Sequence, residues 1–362
     1  MVNKMKLFDP KIGKEEELAV KRTMKSGFWA SGAGIENVEK FEKMFSKYTK
    51  TKNSVAVNSG TAALNLALSV FDIKNKEVIL PSLSFISTAH AIILNGGIPV
   101  FVDVDPKTLC IDPIQIKKSI SKKSIMILPV HFAGMPANMQ QIKEIATKNK
   151  LHLIEDAAHA VGSTYNHKKI GSHGDLVCFS FHPVKNLAMP TGGIVTINAK
   201  NSKKITKDLK EKRWCGITNR KDTDYDVKQI GWNYYMNEFS AAIGLEQLKK
   251  LDELNKQRRK TTRRYFNEIS LEDKMPFDNN CSYHFYWIRV KNRKKFREQL
   301  LKKGIETGIH YKPIHTFSFY KSKNYLPITE NISKEIVSLP THPNLTESNV
   351  DHIIKIVNKF SN

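Results

Sequence analysis

The chain has 362 residues, enough to bury a large core in one or two domains, and its 58 Lys and Arg against 35 Asp and Glu give a formal charge of +23. No apolar run approaches the length of a membrane span, and nothing after Met1-Val-Asn-Lys-Met-Lys6 reads as a secretory signal. The four cysteines, Cys110, Cys178, Cys215 and Cys281, are too scattered for a disulfide framework or a zinc site and point to a reducing cytoplasm.

Residues 14–26 read as a helix with Leu18, Val20 and Met24 partly buried, ended by the break Gly27-Phe28-Trp29-Ala30-Ser31-Gly32. A second helix carries Val38, Phe41, Met44 and Phe45 on one face, which suits core packing. Next, Ser54-Val-Ala-Val-Asn58-Ser59-Gly60-Thr61-Ala62 reads as a short strand running through a glycine turn into a helix. The free N–H groups and positive dipole end of such a helix make a phosphate cradle. Residues 77–80 form a strand stopped at Pro81, and the ring of Phe85 follows four residues later, where it can stack on a planar ligand. Residues 98–104 and 125–130 alternate with helical stretches, which implies a largely parallel sheet.

Residues 151–154 are another buried run, with Asp156 at its C-terminal end. A carboxylate there can hold the protonated nitrogen of a pyridine ring and keep that ring electron-accepting. Residues 176–181 are a further buried strand, and His182-Pro183 stops it because proline cannot donate to a sheet ladder. Lys185 therefore falls on the loop just past a strand end, where open α/β sheets keep their sites. An amine held there can form a Schiff base if it is deprotonated at working pH. Ser180, five residues earlier, can complete a phosphate shell. His131 is open between a site position and a core histidine.

Pro190-Thr-Gly-Gly193 turns the chain into a strand over 194–197, and residues 214–238 look irregular. A long helix from Asn237, with Phe239, Ile243, Leu248, Leu251 and Leu254 as its apolar side, links a large domain (1–250) to a smaller α+β domain (251–362). In the latter, 283–290 reads as a strand, 294–303 as a helix, and Gly304 precedes a second strand through His310. The basic clusters are dispersed and match no recognition helix or zinc finger. We read them as solvated helix faces that attract an anionic substrate, with no nucleic-acid or membrane partner. Phosphate cradle, strand-end Asp156 and loop Lys185, in that order, fit pyridoxal 5′-phosphate.

The stretches Ser59-Gly-Thr-Ala-Ala-Leu64, Pro81-Ser-Leu-Ser-Phe85-Ile-Ser-Thr-Ala89 and Pro129-Val-His-Phe-Ala-Gly134 are followed by Ile154-Glu-Asp-Ala-Ala-His159 and Ser180-Phe-His-Pro-Val-Lys185-Asn186. Gly231-Trp-Asn-Tyr-Tyr-Met-Asn-Glu238 and Ile309-His-Tyr-Lys-Pro-Ile-His315 complete the series. With these, nearly the whole chain resembles the DegT/DnrJ/EryC1/StrS aminotransferases, which act on nucleotide-linked keto sugars. The resemblance implies fold type I, with a mostly parallel seven-stranded sheet flanked by helices. It also implies transfer from an amino donor, glutamate, to the sugar, for surface-glycan or amino-sugar biosynthesis. It places Gly60, Thr61, Ala62, Phe85, Asp156, His159, Ser180 and Lys185 around the cofactor, with His159 on its phenolic side. Asn233 would reach across a homodimer interface to the partner's cofactor. Trp29, His310, Tyr311 and His315 would line the substrate side.

Two positions depart from the pattern. Tyr235 stands where relatives usually carry arginine, and Pro190-Thr-Gly-Gly193 where they more often show Gly-Glu-Gly-Gly. Lys185 argues against the sugar dehydratases of this scaffold that carry histidine in its place, and the scattered cysteines against those with an iron–sulfur cluster. A sugar dehydratase or an amino-cyclitol aminotransferase on the same scaffold, and a non-enzymatic nucleic-acid-binding regulator, are the alternatives.

Overall fold

A computed structural model describes residues 4–320 and 324–361. In chain order the strands are β1 (Asn53–Val57), β2 (Glu77–Pro81), β3 (Ile98–Val102), β4 (Ser124–Ile127) and β5 (His152–Asp156). A two-residue hairpin, β6 (Thr164–Tyr165) and β7 (Lys168–Lys169), precedes β8 (Leu176–Ser180) and β9 (Gly193–Ile197). The hairpin β10 (Ile217–Lys221) and β11 (Asp224–Val227) follows, then β12 (Tyr286–Arg289) and β13 (Ile336–Leu339). The helices are α1 (Lys14–Ser26), α2 (Asn37–Thr49), α3 (Gly60–Leu68), α4 (Ser87–Leu94), α5 (Pro113–Ser119) and α6 (Met139–Lys148). After them come α7 (Ser202–Lys212), α8 (Glu238–Glu268), α9 (Arg293–Lys302), α10 (Pro327–Glu335) and α11 (Glu347–Phe360).

Seven strands join one sheet in the order β1-β9-β8-β5-β4-β2-β3. All neighbours pair parallel except β9, which runs antiparallel to both β1 and β8. The apolar runs that marked the central strands are buried on both faces, as a helix-covered sheet requires, while the edge strand β3 leaves Ile98 exposed. Val55, Val57, Val78, Leu80, Ile154 and Cys178 pack with α3 and α4. On the other face, Ala56, Val177, Phe179 and Ile194 pack with Phe41 and Phe45 of α2 and Leu248 and Leu251 of α8. This two-face alternation is the period of two that a strand imposes.

α8 is unbroken across the expected boundary near residue 250. Its Leu248 and Leu251 belong to the cluster around Phe41, while Tyr265 belongs to the one around Trp287 and Ile353. Beside α8, β12 pairs antiparallel with β13, not with the strand expected through His310. Among the described residues the segment after Gly304 forms no strand and makes isolated bridges, Ile305 with Met5 of the N-terminal segment and Gly308 with Ser338 of β13. Residues 214–238, expected to be irregular, contain the β10–β11 hairpin.

α1 also differs from expectation. Leu18 and Met24 are 52% and 59% exposed, and the buried face is Glu16, Ala19 and Thr23. Small and polar groups win there because Glu16 Oε1 accepts from Gln247 Nε2 at 2.7 Å and pairs with Lys250 at 2.5 Å, drawing α1 close to α8. The four cysteines are all unpaired. Among the described residues no helix is long and apolar enough to cross a membrane, and no cluster of His, Cys, Asp or Glu is arranged to hold a metal ion.

Candidate active site

The C-terminal ends of β5 and β8 and the N-terminus of α3 meet at a cavity of about 350 Å³. Lys185 enters it from the loop after β8. Its N–H donates to His182 O at 2.8 Å, and the next residue is locked, with Asn186 Nδ2 donating to Asn255 Oδ1 at 2.9 Å and to Ser282 O at 2.7 Å. The loop is thus tied both to α8 and to the entry of the C-terminal region, so the amine projects from a rigid support. Burial pushes the Lys185 ammonium down to about 8, with the Asp156 charge opposing. A useful fraction of free amine therefore exists near neutral pH.

Asp156 is buried at the end of β5. Its Oδ2 accepts from Thr88 Oγ1 at 2.8 Å and its Oδ1 from the Ala158 N–H at 3.1 Å. Burial pushes its acid up, while these donors and the Lys185 charge pull the other way. At the third corner, Ser59 caps α3 by accepting from the Ala62 N–H at 3.1 Å. The helix itself cannot use the amides of Gly60 and Thr61. Gly60 is needed for close approach, since a Cβ there would sit 2.6 Å from Ser180 Cβ.

The opposite wall is aromatic. Tyr311 OH lies 3.1 Å from His159 Nε2, and the Phe85 ring is 6.1 Å from the Tyr311 ring. Phe8 stacks on His284 at 4.8 Å, and His284 leans on His159 at 4.6 Å. His310 stacks on Phe285 at 4.3 Å and bonds through Nδ1 to Ser338 Oγ at 2.8 Å. Burial, aided by the Lys185 charge, drives His159 and His284 well below the usual histidine range and His310 down to about 3. All three imidazoles are neutral at physiological pH.

Of the residues expected from the sequence, Gly60, Thr61, Phe85, Asp156, His159, Ser180, Lys185, His310 and Tyr311 line this cavity. Ala62 is buried behind it, with its amide spent on the Ser59 cap. His315 does not reach the cavity. It is 4% exposed, with Nδ1 bonded to Ser82 Oγ at 2.6 Å and Nε2 to Glu330 at 3.2 Å, so both ring nitrogens are occupied in a pin between the β2 loop and α10. His131 is a core histidine, its Nε2 on Glu155 at 2.7 Å and its Nδ1 accepting from Ala137 N–H at 3.0 Å. Trp29 and Asn233 also lie outside the cavity. Trp29 is 54% exposed, and Asn233 is exposed with its carbonyl accepting from Asn58 Nδ2 at 3.3 Å.

Sequence reasoning missed Phe8, Ser84 and His284 on the cavity wall, and Thr88 behind it. The hydroxyl-rich run Ser82, Ser84, Ser87, Thr88 was the available signal for two of them; Phe8 and His284 stand in no local pattern.

The donor set fits pyridoxal phosphate. The first-turn amides of α3 with Ser180 suit the phosphate, Asp156 suits the ring nitrogen, and Lys185 suits the aldehyde carbon. The buried Nδ1 of His159 has no partner among the described residues, as expected of a group kept for a ligand. Sheet and site together define a pyridoxal-phosphate-dependent aminotransferase of fold type I.

Comparison with known proteins agrees. The chain belongs to the DegT/DnrJ/EryC1/StrS aminotransferase family, whose model matches residues 10–358. It is 35% identical over 371 residues to the spore coat polysaccharide biosynthesis protein SpsC of Bacillus subtilis (strain 168), covering 96% of this chain and 95% of that one. Its structure matches Spr1654 from Streptococcus pneumoniae in the PMP form, with a TM-score of 0.94 and 26% identity over 99% of this chain and 98% of that one. It also matches Helicobacter pylori PseC, an aminotransferase involved in the biosynthesis of pseudoaminic acid, with a TM-score of 0.93 and 28% identity over 99% of both chains.

Proposed function

We propose that this aminotransferase moves an amino group from L-glutamate to the keto group of a nucleotide-linked deoxy sugar, for surface-glycan or amino-sugar biosynthesis in the cytoplasm. The observation that carries the reading is the single cavity shared by Lys185, Asp156 and the N-terminus of α3. The sugar substrate is supported by the roles of SpsC and PseC in polysaccharide and pseudoaminic acid biosynthesis. When bound, the cofactor supplies an electron sink for the carbanion that develops at the substrate carbon. Lys185 Nζ would hold the cofactor at rest and, with its amine free, would take the proton from glutamate Cα and in the return direction deliver one to the sugar carbon. Asp156 would hold the ring nitrogen in its protonated form. Gly60, Thr61 and Ser180 would bind the phosphate, with Phe85 and His159 against the ring. His310 and Tyr311 shape the sugar side.

The active unit in this reading is a homodimer. Asn233 lies outside its own protomer's cavity, Trp29 is exposed where its carbonyl accepts from the Glu238 N–H at 2.8 Å at the α8 entry, and Ile230 is exposed in the segment leading to α8, which suits a face covered by a second copy that receives Asn233. The test is a mass-spectrometric screen of keto-sugar nucleotides with glutamate and the purified protein. We expect 2-oxoglutarate together with an aminated sugar nucleotide. Turnover of a keto-cyclitol alone, or glutamate consumption with no sugar nucleotide accepted, overturns the assigned acceptor.

A further inference from the structure

Asp156 does not stand alone against the cavity. α4 begins directly beneath it, and the first turn places Thr88, which is fully buried, against the carboxylate. Thr88 Oγ1 donates to Asp156 Oδ2 at 2.8 Å, and Ser84 Oγ lies 2.9 Å from Thr88 Oγ1. A threonine hydroxyl has one proton. With that proton committed to the carboxylate, Ser84 must be the donor to Thr88. The relay therefore runs from Ser84, on the cavity wall, through Thr88 to Asp156. Were Asp156 protonated, the direction could invert, with the acid donating to Thr88.

We propose that Thr88 is a positioning residue for Asp156, its hydroxyl orienting the carboxylate toward the cavity and stabilising the negative form that a protonated ring nitrogen requires. The proposal rests on the reading of Asp156 as the partner of that nitrogen. The physical reason is the low polarity of the site. A buried carboxylate is disfavoured unless donors reach it, and a donor to the charged form counts for more there than in water. The backbone N–H of Ala158 supplies one such donor and cannot be removed by substitution. Thr88 supplies the other. The titratable groups around Asp156 are Lys185 on the loop after β8, Cys178 on β8, His131 after β4 and Tyr311 on the opposite wall. None of them replaces a neutral hydroxyl that directly fixes Oδ2.

The experiment compares Thr88→Val, which keeps the shape and loses the donor, with Thr88→Ser, which keeps the donor and loses the methyl. The first readout is a ¹³C NMR titration of aspartate-labelled, cofactor-free protein, with the Asp156 signal assigned by its loss in Asp156→Asn. The second is the dissociation constant for pyridoxal phosphate. We expect Thr88→Val to move the Asp156 midpoint upward and weaken cofactor binding by about tenfold, the size of one hydrogen bond to a charged group. Thr88→Ser should restore both, and Ser84→Ala should produce a smaller shift in the same direction. An Asp156 midpoint unchanged in Thr88→Val overturns the proposal. So do equal defects in the Val and Ser variants, which would mark a packing role for the methyl. The titration needs no cofactor, so a wild-type protein that failed to bind pyridoxal phosphate would sink the reading of the site while leaving the Thr88 result intact.

Discussion

The two walls of the cavity are built by different means. The wall of Gly60, Asp156, Ser180 and Lys185 hangs on strand ends and a helix start within one sheet, each placed by a short local pattern. The facing wall of Phe8, His284, His310 and Tyr311 comes from irregular segments far apart in the chain, held together by ring stacking and by bonds such as Tyr311 OH to His159. Strand ends in a covered parallel sheet have few places to go, so chemistry can be fixed there. Irregular segments can be repositioned at little cost to the core, so selectivity can be adjusted there.

That division is open to attack by substitution. The largest effect should come from Lys185→Ala, which removes the amine proposed to carry the proton and should lower turnover about a thousandfold or more, with loss of the visible absorbance of bound cofactor. The same change should make the cofactor-free protein more stable. The Lys185 value of about 8 in the folded state lies below its ordinary 10.5, so the unfolded chain binds more protons between those values. Stability therefore rises with pH through that window, and the penalty is full below about 8. Removing the amine should recover about 1–3 kcal/mol at pH 7 after allowing for cavity water, seen as a higher Tm.

Asp156→Asn ranks next, with a fall in kcat of about a hundredfold or more and weaker cofactor retention. On the opposite wall, His284→Ala should raise the KM for the sugar substrate about tenfold with kcat little changed, because it loosens the stack behind His159 without touching the proton path. A kcat loss as deep as that of Asp156→Asn would erase the distinction between the walls. The smallest kinetic effect belongs to His315→Ala. It should cost about 1–3 kcal/mol by leaving Ser82 and Glu330 short of a partner, yet leave kcat and KM within a few-fold. A selective KM defect in a stable His315→Ala protein would return that residue to the substrate.

A separate measurement concerns pH. Below about 8 the Lys185 amine is increasingly protonated, so the rate at which cofactor-free protein captures pyridoxal phosphate should fall about tenfold per pH unit in stopped-flow absorbance. A rate that goes on rising tenfold per unit from pH 8 to 10, instead of levelling off, would mean the amine is not desolvated as the cavity implies.

Most of the sheet and the chemical wall are legible in the sequence. Buried runs bounded by Pro81 and by His182-Pro183, and the Ser59-Gly60 turn into α3, are local features, since proline and glycine act on their own backbone. The antiparallel course of β9 was not readable, because strand direction depends on which neighbour receives it. Nor was the fate of individual histidines. His284 and His315 carry the same side chain, and one lines the cavity while the other is sealed between Ser82 and Glu330. Sequence alone therefore determined which residues could perform the chemistry, through strand ends and turns set by short-range backbone constraints. Only the tertiary structure decided which residues face them, because that wall is assembled from contacts spanning up to the length of the chain, and no local pattern records a distant partner.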